Sequence, residues 1–367
     1  MKYIFSTIIF LHGAIHFLGF VKAFDLANMQ QLSANISKSS GLIWLFVSLL
    51  FITSGIAYFA KFQWWSILAI LAVILSTLLT ILVWKDAKFA LIPNVIILVV
   101  ACFSLSQVIF NKKVSNEITE IMRQKEGFES TKITTEQLSE LPITVANWLK
   151  ISGIIGKEKV NTVCLSQKAK MKMKPEQETW YNATAEQHFA IDEPAFVWKV
   201  NMDMSPFIKI TGRDKFIDGK GEMQIKLFST INVVNEKGPQ IDEGTLQRFL
   251  GEIVWFPSAA LSPYISWEAI DASSAKATMD YKGTKGTGMF YFNKQGDFVK
   301  YIALRYKGNK PNAERYDWVI DVKEHAVMNG IKIPIKMTAT WKLDEGDWTW
   351  LEMEITDIKY NKESLVK

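Results

Sequence analysis

The chain has 367 residues, of which 49% are hydrophobic, so it is long enough for two or three domains and too apolar for a disordered chain. Its two cysteines, Cys102 and Cys164, can form at most one disulfide, which excludes a disulfide-stapled miniprotein. The 42 basic and 37 acidic residues nearly balance, so composition gives no indication of a nucleic-acid partner.

Four long uncharged stretches occupy the first third of the chain. A hydrocarbon core about 30 Å thick needs about 20 helical residues, which each stretch supplies. The first stretch also resembles a signal peptide, but no small-residue cleavage site follows it and three similar stretches come next. The sequence therefore predicts an α-helical four-span transmembrane domain over residues 1–110, with spans near 3–21, 41–60, 64–84 and 89–110.

Four spans place both termini on the same side of a membrane. The positive-inside rule compares the basic residues flanking the spans, and it favours a cytoplasmic carboxyl-terminal domain by a small margin. The residues compared are Lys2, Lys61, Lys112, Lys113, Arg123 and Lys125 against Lys22, Lys38, Lys85 and Lys88. Membrane lipids are the expected surroundings of this part of the chain.

Residues 111–148 contain both acidic and basic side chains in close succession. This composition predicts a charged juxtamembrane helix that ends before Pro142 and serves as a solvated linker rather than a site.

Residues 149–367 alternate apolar and polar side chains, as at Phe196, Trp198, Val200 and Met202. Such alternation is typical of antiparallel strands with one buried face. Turn residues such as Asp218-Gly219 and Asn329-Gly330 separate about a dozen such runs. We therefore expect a mostly antiparallel β-domain, a curved sheet or half-barrel covered by a helix.

One helical stripe interrupts the strands between Asp242 and Trp255. Asp242 is the expected amino-terminal cap, and Pro257 is expected to end the helix. A single helix among strands is expected to lie across the concave face of the sheet and cover it.

Several segments carry a resemblance to a bacterial family of unknown function. They are residues 212–221 (GRDKFIDGKG), 246–261 (LQRFLGEIVWFPSAAL), 267–271 (WEAID), 290–296 (FYFNKQG) and 330–334 (GIKIP). Where that family has Gly-x-Met-Arg, this chain has residues 170–174 (KMKMK). The resemblance covers about residues 140–360 and implies a multi-pass protein of a bacterial plasma membrane, with no catalytic residue to carry over.

A looser resemblance, in topology only, is to lipoprotein carriers of the LolA/LolB type. These are half-barrels closed by helices over a hydrophobic pocket. The resemblance implies binding of a lipid or another hydrophobic ligand, although a fold alone does not establish a function.

Charged and aromatic residues near the helix are the candidate ligand-binding residues. Interior charges cost several kcal/mol unless they are paired, so these residues either anchor a ligand headgroup or form a salt-bridge network that fixes the helix on the sheet. The tryptophans either line a pocket or belong to the core. The candidates are Arg213, Asp214, Arg248, Glu252, Asp271, Trp255 and Trp267.

His12 and His16 share one face of the first span because they are four residues apart. They are weak candidates for a metal or haem site, and interhelical hydrogen bonding is the favoured interpretation. The glycine-rich residues 283–288 lack the spacing of a phosphate loop and predict a hairpin. We predict no cofactor and no metal site.

Three functions remain open from the sequence. The favoured one is a membrane-anchored module that binds a lipid or another apolar ligand, which requires an apolar cavity. The second is an interaction or sensory domain that signals through the juxtamembrane helix. The third is a membrane enzyme acting on lipids, which requires a perturbed carboxylate such as Glu252 or Asp271 in a cleft.

Overall fold

The computed structural model describes residues 2–28, 33–123, 131–205 and 208–362. The chain divides into two compact units, Met1–Lys112 and Lys113–Lys367. We call the first the helical unit and the second the β-domain.

Within the described residues, four apolar helical stretches are long enough to cross a membrane, as predicted. They are α1 (Lys2–Ala23), α2 (Lys38–Phe59), α3 (Trp65–Leu82) and a stretch that comprises the short α4 (Trp84–Ala87), a 3₁₀ turn and α5 (Leu91–Met122). Glycines allow α1 and α2 to approach closely, because a Cβ atom at Gly19 would lie 2.3 Å from the Trp44 ring. Small residues play this role between helices in membranes.

The described part of the β-domain contains one antiparallel sheet of 13 strands. The strands are β1 (Thr162–Met171), β2 (Tyr181–Ala190), β3 (Ala195–Asp203), β4 (Lys209–Ile217), β5 (Lys220–Leu227), β6 (Ile231–Lys237), β7 (Ile265–Asp271), β8 (Ser274–Tyr281), β9 (Thr284–Phe292), β10 (Phe298–Tyr306), β11 (Arg315–Met328), β12 (Ile331–Leu343) and β13 (Gly346–Tyr360). Two helices accompany the sheet, α6 (Ile143–Ile151) and α7 (Pro239–Glu252). This architecture confirms the predicted fold class.

The sheet is curved and unclosed. Its strand order is β6-β5-β4-β3-β2-β1-β13-β12-β11-β10-β9-β8-β7, so β6 and β7 are the two edges. Helix α7 nevertheless contacts β4, β5 and β6 on one arm and β8, β9 and β10 on the other. The arms also meet at their turns, where the Thr284 hydroxyl donates to the Gly219 carbonyl at 2.7 Å. The sheet therefore bends around α7, as a covering helix requires.

Helix α7 begins at Pro239, and its cap Gly238 lies four residues before the predicted cap Asp242. Gly238 precedes it with a φ of 123°, a conformation that favours glycine, and proline suits the first helical position. The prediction that Asp242 is the cap is therefore wrong. Asp242 lies in the first turn instead, where its carboxylate accepts hydrogen bonds from the Gly221 amide at 2.8 Å and from Lys220 at 3.0 Å. These bonds fix the start of α7 to β5.

The segment predicted as a solvated linker contains a buried charge. Helix α5 continues to Met122, and Glu117 is buried between Arg213, at 3.2 Å, and Lys215, at 3.0 Å. The prediction of solvation is wrong at this position because the partners of Glu117 lie about 100 residues away, on β4. Composition alone does not show such a pairing.

Candidate functional site

A cavity of about 320 Å³ lies between α7 and the inner face of the curved sheet. Its size is in the range of small-molecule sites in proteins. Its walls come from α7 and the residues after it, from strands β3 to β6, and from strands β10 to β13. The lining residues are Gln240, Ile241, Gly244, Thr245, Arg248, Gly251, Glu252 and Trp255; Trp198, Asp214, Met223, Val234 and Glu236; and Arg305, Tyr306, Lys307, Gly308, Trp318, Ile320, Met337, Trp341, Trp348, Trp350, Leu351 and Met353.

Tryptophans from three neighbouring strands form one wall of this cavity. Trp318 on β11 pairs directly with Trp341 on β12, and Trp341 pairs directly with Trp348 on β13. Residues directly opposite one another in a sheet share a face, so the three rings follow one row across the strands. The register of β12 and β13 then shifts, which inserts Trp350 as an extra residue and returns Leu351 to the same face.

Two cations accompany the tryptophans. The guanidinium carbon of Arg305 lies 4.2 Å from the ring centroid of Trp318, and the Lys307 ammonium lies 4.4 Å from that of Trp348. Both are cation–π distances. Burial lowers the pKa of Arg305 to about 10, so the guanidinium stays charged at neutral pH.

The α7 side of the cavity carries a paired charge cluster. Arg248 donates to Asp214 at 2.7 Å and to Glu252 at 2.9 Å, and its guanidinium carbon lies 4.6 Å from the ring centroid of Trp198. Arg248 and Glu252 are four residues apart and therefore share a face of the helix. Burial raises the pKa of the Asp214 and Glu252 carboxyl groups. The positive charge of Arg248 acts in the opposite direction but is the smaller effect. We call Asp214, Arg248 and Glu252 the α7 triad.

A chain of buried amides continues from the α7 triad into the sheet. Gln187 donates to the second oxygen of Glu252 at 2.8 Å. Gln167 lies 3.4 Å from Gln187 and accepts a hydrogen bond from the Trp198 indole at 2.9 Å. Because each carboxylate oxygen of Glu252 accepts a hydrogen bond from a side chain, the carboxylate is held in one orientation.

Of the residues predicted from the sequence, Asp214, Arg248, Glu252 and Trp255 meet at the cavity. Two features of the sequence predict this grouping. Arg248 and Glu252 are four residues apart on α7, and the apolar stripe indicates which side of the helix faces the sheet. The structure places the other three predicted residues, Arg213, Trp267 and Asp271, away from this group.

Arg213 lies on the opposite face of β4 from Asp214, since consecutive strand residues point to opposite faces. It is fully buried and donates to Glu222 at 2.6 Å. Trp267 packs against Phe290, with ring centroids 4.9 Å apart. Asp271 is exposed at the end of β7 and accepts from the Ser273 amide at 2.7 Å, a bond that lowers its pKa.

The histidines belong to a hydrogen-bond network in the helical unit. His12 lies 2.7 Å from the Asn94 amide oxygen on α5, and Ser76 on α3 donates to the same oxygen at 3.0 Å. His16 bonds to the His12 carbonyl at 2.9 Å. Within the described ranges, no group of three side chains suited to a metal ion is found. The geometry is that of interhelical hydrogen bonding.

Comparisons with known proteins add a family and no activity. A model described as a family of unknown function, DUF6544, matches residues 131–353. No curated protein matches. Among solved structures, the crystal structure of a beta-barrel-like protein of domain of unknown function DUF1849 from Brucella abortus is similar at 10% identity and a TM-score of 0.22, covering 56% of this chain and 99% of that chain.

Proposed function

The chain belongs to the DUF6544 family of unknown function, as its sequence resemblance indicated, and we propose that its β-domain binds an apolar ligand in the cavity under α7. In this proposal the helical unit anchors the chain in a membrane, for which its four apolar stretches have the required length.

The cavity is the observation that carries the proposal. Its wall combines tryptophan rings with aliphatic and thioether side chains such as Ile320, Met337 and Met353. Apolar surface removed from water stabilises a complex by about 25 cal/mol per Å². An unfilled apolar cavity costs stability, and a bound apolar ligand recovers part of that cost.

Blocking the cavity tests the proposal. The full chain in lipid nanodiscs is dialysed to equilibrium against radiolabelled octanol, with empty nanodiscs as the blank. Ile320→Trp adds volume at the lining, whereas Val327→Trp adds the same side chain at an exposed position of the same strand. We expect Ile320→Trp to weaken octanol binding about tenfold or more and Val327→Trp to leave it unchanged, because overpacking costs about 1–3 kcal/mol. Equal octanol binding by both variants, or none by the wild type, contradicts the proposal.

A second candidate function, signalling through α5, is favoured by adjacent residues of β4. Asp214 pairs with Arg248 on the face of the sheet that α7 covers, whereas Arg213 pairs with Glu117 of α5 on the opposite face. A ligand that displaces Asp214 would therefore also move Arg213, its neighbour on the same strand. Hydrogen exchange at residues 113–122 checks this function: it should change when octanol is added to the wild type and stay constant in Glu117→Gln. No change in the wild type contradicts it.

A further inference from the structure

The charges that line the cavity are of two kinds. Arg248 is bonded to both carboxylates of the α7 triad. In the part of the chain that the structure describes, neither Arg305 nor Lys307 forms an ion pair with a carboxylate. Glu236 also lines the cavity, and the negative charges of the triad act on Arg305 from a distance. The two cations therefore stand among aromatic rings instead of among carboxylates.

The lining of the cavity also contains hydrogen-bond donors without acceptors. The buried Arg305 Nε has no acceptor within the described residues, and the same is true of four lining indoles. Those indoles belong to Trp255, Trp318, Trp348 and Trp350. Guanidinium and indole groups donate and do not accept, and buried donors in native proteins nearly always have partners. The group that complements this wall is therefore an acceptor.

We propose that Arg305 and Lys307 bind the oxyanion head of a single-chain amphiphile, a carboxylate or a phosphate, while its apolar tail lies along the tryptophans. The planar donors of a guanidinium match the oxygens of either head. This inference rests on the proposed function, because it assigns a head to the ligand that the cavity accepts. The tail supplies the apolar contact and the head supplies the selectivity.

A set of ligands with one tail and different heads tests the assignment. Octanoate, octyl phosphate, octanol and octyltrimethylammonium are dialysed against the full chain in nanodiscs of zwitterionic lipid, with empty nanodiscs as the blank. We expect one of the two anions to bind the wild type about 10- to 100-fold more tightly than octanol, as a charged hydrogen-bonded pair requires. The tighter anion identifies the head.

Variants then assign the selectivity to the named cations. Arg305→Met should remove the preference for the anion, so that octanoate, octyl phosphate and octanol bind this variant with similar affinities. Hydrogen exchange of β4 and β5 as slow as in the wild type shows that the β-domain of the variant is folded. Lys307→Met, at a half-buried position, should reduce the preference about threefold. Arg315→Met is the matched control, because Arg315 is exposed and bound to Glu243, and it should change nothing.

The outcomes separate this inference from the proposed function. If octanol binds as tightly as the anions, or if octyltrimethylammonium binds more tightly, the oxyanion head is wrong and the apolar site stands. If acetate or inorganic phosphate alone binds as tightly as the octyl anion, the cations hold a free ion and the amphiphile is wrong. If no octyl compound binds, the proposed function itself is wrong.

Discussion

Arg213 and Arg305 are two arginines inside the same sheet with opposite surroundings. Arg213 is fully buried and lies between two carboxylates, Glu117 at 3.2 Å and Glu222 at 2.6 Å. Arg305 lies against tryptophan rings, without a carboxylate partner among the described residues. A buried charge has to be compensated. The comparison teaches that carboxylates of the fold pair with Arg213 directly, whereas Arg305 has aromatic rings beside it and the carboxylates of the α7 triad only at a distance.

The region around Arg213 is an ion network that connects α5 to β4 and β5. Glu222 also lies within 3.7 Å of Lys113 and 3.5 Å of Lys215. Burial alone would raise the pKa of Glu222, but the hydrogen bond from Arg213 and the surrounding positive charges outweigh it and lower the pKa to about 2. The network is therefore a structural element, complete without a ligand.

Arg213→Met should have the largest effect, a loss of about 3–5 kcal/mol in the free energy of unfolding of the β-domain. The substitution leaves Glu117 and Glu222 at a buried position without their fully buried partner, and Lys215, which is more exposed, is the cation that still contacts both. Urea titration of the full chain, followed by hydrogen exchange of β4 and β5, measures the loss. Arg315→Met removes an exposed pair and should cost at most about 1 kcal/mol. Equal losses would show that burial of the pair is unimportant.

Glu222→Gln should have an intermediate effect, about 1.5–3 kcal/mol at pH 7, because it replaces a charged hydrogen bond with a neutral one. The lowered pKa also fixes the pH dependence. An unfolded glutamate titrates near about 4.3, so the contribution of Glu222 is complete above that pH and is lost as the pH falls toward 2. In urea titrations between pH 7 and pH 2, the gap between wild type and variant should close on acidification. A gap that is constant with pH would contradict the assignment.

Sequence reasoning found what depends on neighbours along the chain. The apolar stretches, the alternating strands and the helical stripe are local patterns, and all three are present in the structure. The prediction groups Arg213 with Asp214, whereas adjacent residues of a strand face opposite sides of the sheet. That parity was available from the predicted strand itself.

The rest of the site depends on how neighbouring strands pair. Trp318, Trp341 and Trp348 form a row only because the β11, β12 and β13 registers align them, and Trp350 joins the wall through a register shift. The Asn329-Gly330 turn fixes the register of β11 and β12, but the register shift between β12 and β13 has no signal in the sequence. Arg305 was missed for the same reason, because its significance lies in the tryptophans that surround it and not in its neighbours along β10.

Arg305→Met should have the smallest effect on stability, a change of less than about 1 kcal/mol in either direction. The substitution removes a cation–π contact worth about 0.5–2 kcal/mol, but it also relieves the burial of a charge that no carboxylate of the described chain contacts directly. Methionine keeps most of the side-chain volume against Trp318, so no large cavity opens. The same urea titration used for Arg213→Met measures the change without added ligand. A loss as large as that of Arg213→Met would mean that Arg305 is already satisfied within the fold, and the contrast between the two arginines, with the oxyanion site drawn from it, would no longer hold.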